Sequence, residues 1–264
     1  MPRAKRRLGQ HFLTDRRLLD RIADALLADP RDTVLEIGPG PGGLTAALAE
    51  RAGRLIAIEK DPELVPALRE RFPQVTIVEA DALESDWHAL AGPRFLVAGN
   101  IPYNITSPLI DKALEPPLPV RIVFLVQKEV ADRVAARAGE SAYGALSAGV
   151  QSVARVERLF TVPAGAFHPR PKVDSAVLRL TPLDLPIVSP AEREGYRRLV
   201  VGLFGFRRKQ LARGLRELTG WEASAVLGSL DRAGIPADVR PEVLAPAAFA
   251  ALLRALVDAG WTAR

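Results

Sequence analysis

Polar residues and glycines follow the predicted strands of this chain at regular intervals, and this register constrains the fold more than any other feature. Short segments rich in Val, Ile and Leu alternate with helical patterns, which indicates parallel strands covered by helices on both faces of a sheet. The carboxyl ends of such strands meet at one edge, where open α/β sheets bind ligands. The residues at or just after four successive strands are Gly38, Glu59, Asp81 and Asn100. We therefore expect these four residues to face one crevice.

The remaining patterns define the fold class. Strands are predicted at residues 33–38, 54–59, 75–79, 95–99 and 122–127, with two more within 156–182 that close one edge. Helices are predicted over 15–28, up to about 51, from an N-cap at Asp61, and over 106–115, 128–138 and 143–152. We expect an α/β fold of the Rossmann-like type with a mostly parallel seven-stranded sheet.

A proline-rich stretch predicts a domain boundary. The segment from Pro182 to Pro190 holds three prolines, and the pattern beyond it is helical throughout. We therefore expect a sheet-containing domain over residues 1–185, which includes a basic N-terminal lead-in, and a small all-helical domain over 186–264.

Composition narrows the class of protein. The chain has 264 residues, 48% of them hydrophobic, and no cysteine. We expect neither disulfides nor a metal site, because thiolates are absent and the three histidines are far apart in sequence. No apolar run approaches the length of a membrane span, so we expect a cytoplasmic protein without membrane contact. Nothing in the pattern indicates an obligate dimer, and we expect a monomer.

Positive charge is concentrated at the two ends of the chain. The net charge is +5, while residues 1–12 hold four Lys and Arg and no acid, and residues 186–264 hold twelve Lys and Arg against eight Asp and Glu. A nearly neutral body with basic ends is consistent with a polyanion bound at the periphery or with ordinary solvated surface.

The first predicted strand leads into a glycine-rich turn with the sequence Glu36-Ile-Gly-Pro-Gly-Pro-Gly-Gly43. Glycines allow a tight turn and a close approach of backbone to ligand. Since Gly38, Gly40 and Gly43 also fit the spacing of a dinucleotide-binding turn, the loop alone leaves the ligand open. Glu36 favours a cationic ligand such as a sulfonium amino acid, and Glu59 would accept hydrogen bonds from ribose hydroxyls in either case.

The fourth strand ends in Asn100-Ile-Pro-Tyr103, which suggests chemistry on an amino group. The Asn100 side-chain carbonyl and the Ile101 backbone carbonyl can both accept hydrogen bonds from an exocyclic N–H. Pro102 gives rigidity without an intruding N–H, and Tyr103 offers a flat face on which a base can stack. Phe167 could stack on the other face of the base, or it could plug the core.

These motifs together resemble a known family, the bacterial ribosomal RNA adenine dimethyltransferases that modify two adjacent adenines near the 3′ end of small-subunit RNA. The segments that carry the resemblance occur in family order across about the first 180 residues. They are Gln10-His-Phe-Leu13, Glu36-Ile-Gly-Pro-Gly40, Glu59-Lys-Asp61, Asp81-Ala82, Asn100-Ile-Pro-Tyr103 and Phe167-His-Pro-Arg-Pro-Lys-Val173.

The resemblance implies a class I methyltransferase fold, S-adenosyl-L-methionine as methyl donor, and small-subunit ribosomal RNA or an immature small subunit as partner. The implied cofactor-binding residues are His11, Leu13, Glu36, Gly38, Gly40, Glu59, Asp81, Ala82 and Asn100. The implied catalytic and target-base residues are Asn100, Ile101, Pro102, Tyr103 and Phe167.

The segment from Phe204 to Leu211 also resembles the helical domain of this family. If a helix begins near Lys209, then Lys209, Arg213 and Arg216 share one face, and Arg207 and Arg208 precede it. We interpret these five residues as candidate contacts to the RNA backbone, with a solvated helix face as the equal alternative.

Three other functions remain open at this point. A related enzyme class modifies large-subunit RNA and confers macrolide resistance. A non-catalytic assembly factor for small subunits would use the same basic surfaces. A nicotinamide dehydrogenase would share the glycine spacing but lacks an evident site for hydride transfer.

Overall fold

The computed structural model describes residue 5 and residues 9–262 of the chain. Three basic residues of the predicted lead-in, Arg3, Arg6 and Arg7, lie outside the described residues. Within the described part, the strands are β1 (Phe12–Leu13), β2 (Thr33–Ile37), β3 (Arg54–Glu59), β4 (Thr76–Glu79), β5 (Leu96–Asn100), β6 (Arg121–Gln127), β7 (Ala154–Val162), β8 (Phe167–His168) and β9 (Ser175–Pro182). The α-helices are α1 (Arg16–Ala25), α2 (Gly43–Ala49), α3 (Val65–Arg71), α4 (Trp87–Ala91), α5 (Thr106–Ala113), α6 (Lys128–Ala135), α7 (Ala145–Gln151), α8 (Arg193–Gly205), α9 (Leu211–Thr219), α10 (Ala223–Arg232) and α11 (Pro246–Asp258).

The predicted seven-stranded, mostly parallel sheet is confirmed. Its strand order is β4-β3-β2-β5-β6-β9-β7. The five strands from β4 to β6 run parallel, and β9 is antiparallel to β6. The order reverses between β2 and β5, so the carboxyl ends of β2, β3 and β5 border the crevice where ligands bind in folds of this type.

The strands form because their side chains are apolar and are covered on both faces. Leu35, Ile56, Val97 and Phe124 are among the fully buried residues of the central strands. Helix α1 begins after Asp15, whose carboxylate accepts a hydrogen bond from the backbone N–H of Leu18 at 3.2 Å. The predicted helix over 15–28 is therefore present, although it ends three residues earlier than expected.

Two local features differ from the sequence predictions. Asp61 is not the N-cap of α3, which starts at Val65: its carboxylate accepts from the Glu63 N–H at 3.1 Å in the turn before the helix and also contacts Lys5 and Gln10. The antiparallel pair of β1 and β8 was not predicted, because two-residue strands carry no periodic signal.

The contacts divide the chain into two compact units. Among the described residues, those up to 131 and those from 156 to 182 form the first unit, which holds the sheet, while residues 132–155 and those from 183 to 262 form the second unit, which is mainly helical. The sequence placed residues 132–155 with the sheet domain. In the structure, α7 packs against α8 and α11 of the helical unit. None of the helices in the described part of the chain combines the length and apolar character needed to cross a bilayer.

Candidate active site at the carboxyl edge of the sheet

The four strand-end residues predicted to share a crevice do line one cavity of about 190 Å³ in the sheet-containing unit. Most of the other predicted site residues lie in the same lining. The predicted residues that line the cavity are His11, Leu13, Gly38, Gly40, Glu59, Asp81, Ala82, Asn100, Ile101, Pro102 and Tyr103. Glu36 and Phe167 are predicted site residues that the structure places behind the lining, as described below.

The backbone N–H groups of the glycine-rich turn donate hydrogen bonds to the neighbouring strand β3. Gly38 and Gly40 have φ angles of +68° and +57°, which residues other than glycine rarely adopt. The Gly38 N–H donates to the Ile58 carbonyl at 2.9 Å, and the Gly40 N–H donates to the Glu59 carboxylate at 3.0 Å. The loop therefore turns at the sheet edge with its backbone fixed from β3.

Glu59 is a buried carboxylate that is fixed by two backbone donors. Its Oε2 accepts from Gly40, and its Oε1 accepts from the Asp61 N–H at 2.7 Å. Burial raises the pKa of Glu59, while these two backbone hydrogen bonds oppose the shift. Since a carboxylate has about four acceptor positions, Glu59 keeps capacity for hydroxyl donors of a ligand in the cavity.

Glu36 lies beneath the glycine-rich turn and is only 1% exposed. Its Oε2 has no hydrogen-bond partner among the residues that the structure describes. Burial raises the pKa of Glu36 to about 8, and the negative charge of Glu59 adds to the shift against an opposing contribution from the Thr45 hydroxyl. Glu36 is therefore mainly uncharged at neutral pH in this structure, and its contact with a cofactor stays a prediction.

Asp81 and Ala82 form the next part of the lining, after β4. The Asp81 carboxylate lies 2.5 Å from the Lys60 ammonium and accepts from the Leu83 N–H at 2.9 Å. The Lys60 ammonium, followed by the Leu83 backbone hydrogen bond, lowers the pKa of Asp81 although burial opposes the shift. The Ala82 carbonyl accepts from the Trp87 indole at 2.8 Å, which ties α4 to this loop.

Only the nitrogen of the Asn100 carboxamide forms a hydrogen bond with the described residues. Its Nδ2 donates to the His11 carbonyl at 2.8 Å. Within the described part of the chain, its Oδ1 accepts no hydrogen bond and is left to a ligand in the cavity. The backbone N–H of Ile101 donates to the Leu125 carbonyl at 3.0 Å, which fixes the loop after β5 against β6. This arrangement presents an acceptor where an amino group could bind.

Tyr103 is half-buried beside Asn100. Its hydroxyl is 2.7 Å from Ser175 Oγ, and burial raises its pKa. Its ring stacks on the His11 imidazole with a centroid distance of 5.5 Å and an interplanar angle of 28°. The His11 Nδ1 lies 2.8 Å from the Pro169 carbonyl. The lead-in and the Pro169 loop are therefore joined beside the face of Tyr103.

Phe167 lies in β8 and is 4% exposed. Its backbone pairs with Leu13, and its side chain belongs to the same apolar cluster as Leu13 and Leu19. The structure thus places the ring in the core next to the lead-in, and stacking of Phe167 on a target base stays a prediction.

Sequence reasoning missed several residues of the lining. Phe12, Lys60 and Asn104 also line the cavity, and the Phe12 ring would lie 3.1 Å from a Cβ built on Gly40. Each of them is next to a predicted residue in sequence, and that adjacency is the signal that could have found them. Among the described residues, no group of three or more His, Asp or Glu side chains is arranged to hold a metal ion.

The basic segment of the helical unit differs from the expected helix face. Helix α9 begins at Leu211, so Lys209 precedes the helix and the predicted face of three cations is wrong. Arg207 pairs with Glu242 at 2.6 Å, and Lys209 pairs with Glu217 at 3.0 Å. The exposed cations of the predicted set are Arg208, Arg213 and Arg216.

The chain is similar in sequence to proteins that methylate ribosomal RNA. The ribosomal RNA adenine dimethylase family matches residues 1–241. The ribosomal RNA small subunit methyltransferase A of Geobacter metallireducens is 45% identical, with 98% of this chain and 97% of that protein covered. The protein of the same description from Bordetella avium is 41% identical, with 97% of each chain covered.

Two solved structures are also similar over nearly the whole chain. A dimethyladenosine transferase from Plasmodium falciparum has a TM-score of 0.85 at 27% identity, with 95% of this chain and 98% of that one covered. The 23S rRNA methyltransferase ErmE has a TM-score of 0.74 at 31% identity, with 93% and 99% covered.

Proposed function

The chain belongs to the ribosomal RNA adenine dimethylase family, and from that membership we propose that it transfers methyl groups from S-adenosyl-L-methionine to the N6 amino groups of two adjacent adenines near the 3′ end of small-subunit ribosomal RNA. The observation that carries the proposal is the Asn100 carboxamide, which lines the cavity and whose nitrogen donates to the His11 carbonyl, while its oxygen accepts no hydrogen bond from the described residues. We propose that it acts in the cytoplasm as a monomer, where its substrate is assembled.

The residues around the cavity fit the methyl donor. No heavy atom lies within 4 Å of a Cβ built on Gly38, so this side of the turn is open to a ligand that approaches the backbone. Glu59 offers acceptors for ribose hydroxyls, and Asp81 offers acceptors for an adenine amino group. When bound, S-adenosyl-L-methionine supplies an electrophilic methyl group on a positively charged sulfur.

The side chains of the loop after β5 orient the target amine. The Asn100 Oδ1 and the Ile101 carbonyl would accept hydrogen bonds from the two N6 N–H groups and direct the nitrogen lone pair toward the methyl group. The lone pair would form the new N–C bond as the S–CH3 bond breaks and S-adenosyl-L-homocysteine leaves, and the methylated amine would then lose its proton to solvent, so no general base is required before attack. Tyr103 would stack on the extruded base. Positioning of this kind supplies several kcal/mol of the barrier reduction.

The choice of ribosomal subunit rests on the relatives. Relatives named for the small subunit are 39–45% identical over nearly their full length. The 23S rRNA methyltransferase ErmE is 31% identical, which makes the large subunit the second candidate. Both candidate functions would use the same cavity of this chain, and they differ in which ribosomal RNA is methylated there.

The deciding experiment uses labelled S-adenosyl-L-methionine with purified small and large subunits from a strain that lacks the modification. We expect label in small-subunit RNA, recovered as N6,N6-dimethyladenosine. Label only in large-subunit RNA would move the protein to the second candidate. Absence of label in both would refute the proposed activity and favour an assembly factor.

Asn100→Ala supplies the matched control for the catalytic role. We expect it to abolish labelling, because the acceptor for the N6 proton is removed, while calorimetry still detects S-adenosyl-L-methionine binding and sedimentation still detects binding to small subunits. Loss of particle binding together with labelling would count against a separate binding function of the protein.

We propose that the exposed cations of the helical unit contact the RNA backbone. A cation that neutralises one phosphate adds roughly 0.7 to 0.9 to the steepness with which log K falls against log salt concentration. We expect Arg213→Ala and Arg216→Ala to weaken binding to small subunits at low salt and to flatten this slope. Arg31→Ala removes an exposed guanidinium from the sheet-containing unit and is the control. If the slope of log K against log salt concentration is unchanged in both variants, Arg213 and Arg216 do not contact the RNA.

A further inference from the structure

The turn after β3 binds the described residues of the N-terminal segment. The Lys5 ammonium lies 2.7 Å from Asp61 Oδ1 and 2.9 Å from Glu63 Oε1. The Gln10 amide nitrogen donates to Asp61 Oδ2 at 3.3 Å, and the Gln10 Oε1 accepts from the backbone N–H of Lys5 at 2.8 Å. We call Lys5, Gln10 and Asp61 the Asp61 clasp.

The clasp is built around a carboxylate that is ionised and almost fully buried. The Asp61 side chain is 2% exposed. Burial alone would raise its pKa, but the hydrogen bonds from Lys5, Glu63 N–H and Gln10 outweigh burial and lower it. A buried charge of this kind is costly unless it is paired, so the Asp61 carboxylate depends on the hydrogen bonds from Lys5 and Gln10.

The residues next to the clasp lie against the loop that carries Asn100. A Cβ built on Gly9 would lie 2.9 Å from Asn104 Oδ1 and 3.6 Å from Pro102 Cβ, and Gly9 has a φ of +63°. Two residues later, the His11 carbonyl accepts the Asn100 amide at 2.8 Å. Residues 9–11 therefore connect the turn beside Glu59 with the loop beside Asn100.

We propose that Lys5 and Asp61 are positioning residues for methyl transfer: they fix residues 9–11 so that the His11 carbonyl binds the Asn100 nitrogen and leaves Oδ1 toward the target amine. The inference rests on the proposed function. A carboxamide without a fixed partner can rotate by half a turn and exchange its nitrogen and oxygen. The rotated side chain would present N–H groups to the N6 protons, and the amine would have no acceptor there.

The test compares Lys5→Ala with Lys5→Arg and with Arg17→Ala, which removes an exposed cation from α1 outside the clasp. The measured quantity is the single-turnover rate of methyl transfer at saturating S-adenosyl-L-methionine and saturating small subunits. We expect Lys5→Ala to lower this rate by about 10- to 100-fold, as misplacement of about 1 Å does in other enzymes. We expect Lys5→Arg to restore most of the rate and Arg17→Ala to match the parent protein.

A double-mutant cycle separates positioning from general stability. If Lys5 acts through Asn100, Lys5→Ala should have little further effect on the residual rate of Asn100→Asp, because that variant already lacks the amide donor. Gly9→Ala provides a second variant, which displaces residues 9–11 without removing a charge and should also slow transfer. Melting temperatures confirm that each variant is folded.

Two outcomes would overturn the inference while leaving the proposed function intact. One is a parent protein that methylates small subunits and a folded Lys5→Ala variant with the same saturated rate. The other is an additive rate defect in the double mutant, which would show that Lys5 does not act through Asn100. If the parent protein methylates neither subunit, it is the proposed function that fails.

Discussion

Replacing Glu36 by Gln should change how the stability of the protein depends on pH. Glu36 is 1% exposed beneath the glycine-rich turn, and burial raises its pKa from 4.5 to about 8. Glutamine has nearly the same shape and no charge. The variant therefore removes the titration of this group and keeps the packing of β2 against its neighbours.

The direction of the Glu36 pKa shift determines how the free energy of unfolding changes with pH. A carboxyl whose pKa is higher in the folded state favours folding below pH 4.5, and that contribution is lost as the pH rises to 8, because the unfolded chain ionises first. With these two pKa values, the free energy of unfolding of the parent protein falls by roughly 3 to 4 kcal/mol between pH 5 and pH 8 through this residue. Glu36→Gln should lack that fall, so the stability difference between variant and parent should grow in favour of the variant as pH rises.

The assay is urea unfolding followed by circular dichroism at half-unit steps from pH 5 to pH 8. Glu79→Gln removes an exposed carboxylate from β4 and is the matched control. We expect Glu79→Gln to follow the parent curve and Glu36→Gln to diverge from it by more than about 2 kcal/mol at pH 8, a bound set below the full shift. Parallel curves for the parent and Glu36→Gln would refute the reasoning, because they would mean that Glu36 is ionised in the folded protein.

Three further substitutions test the packing around the same sheet and in the helical unit. Gly42→Ala should be strongly destabilising, because Gly42 has left-handed backbone angles with a φ of +87° and its added Cβ would overlap the Phe72 ring. Gly220 has similar left-handed backbone angles with a φ of +71° but open space around an added Cβ, so Gly220→Ala should cost only about 1 kcal/mol in thermal unfolding. Tyr143→Phe should lower the free energy of unfolding by about 1–3 kcal/mol, because it leaves the Leu244 carbonyl without the buried hydroxyl that donates to it at 2.8 Å. Equal destabilisation by the two glycine variants, or none by Tyr143→Phe, would contradict these assignments.

The part of the fold that could be predicted is the part encoded by local periodicity. The strand ends at Gly38, Glu59, Asp81 and Asn100 were predicted to meet, and they do, because parallel pairing places equivalent strand ends at one edge. Each prediction needed only the pattern of its own strand. No knowledge of distant partners was required.

The predictions that failed depend on partners far away in sequence. Asp61 precedes a proline and matches an N-cap pattern, but the helix starts only at Val65, and the Asp61 carboxylate also binds Lys5, 56 residues away, a partner that no local rule detects. Lys209 has a good spacing to Arg213, yet α9 starts only at Leu211. The sequence leaves Phe167 open between a ligand and the core, because alternation along a strand does not distinguish the two.

The position of Asn100 explains why an amide suits this site better than a carboxylate. Both side chains offer an acceptor for the target amine, so chemistry at the amine alone does not distinguish them. The fold does distinguish them, because the other half of the side chain must donate to the His11 carbonyl, 89 residues earlier in the chain. An aspartate would place an unpaired negative charge against that carbonyl, and the resulting repulsion would displace either the loop after β5 or the residues that the Asp61 clasp holds. Asn100→Asp should therefore impair methyl transfer even though it keeps the acceptor, and its defect originates in the N-terminal segment as much as in the target base.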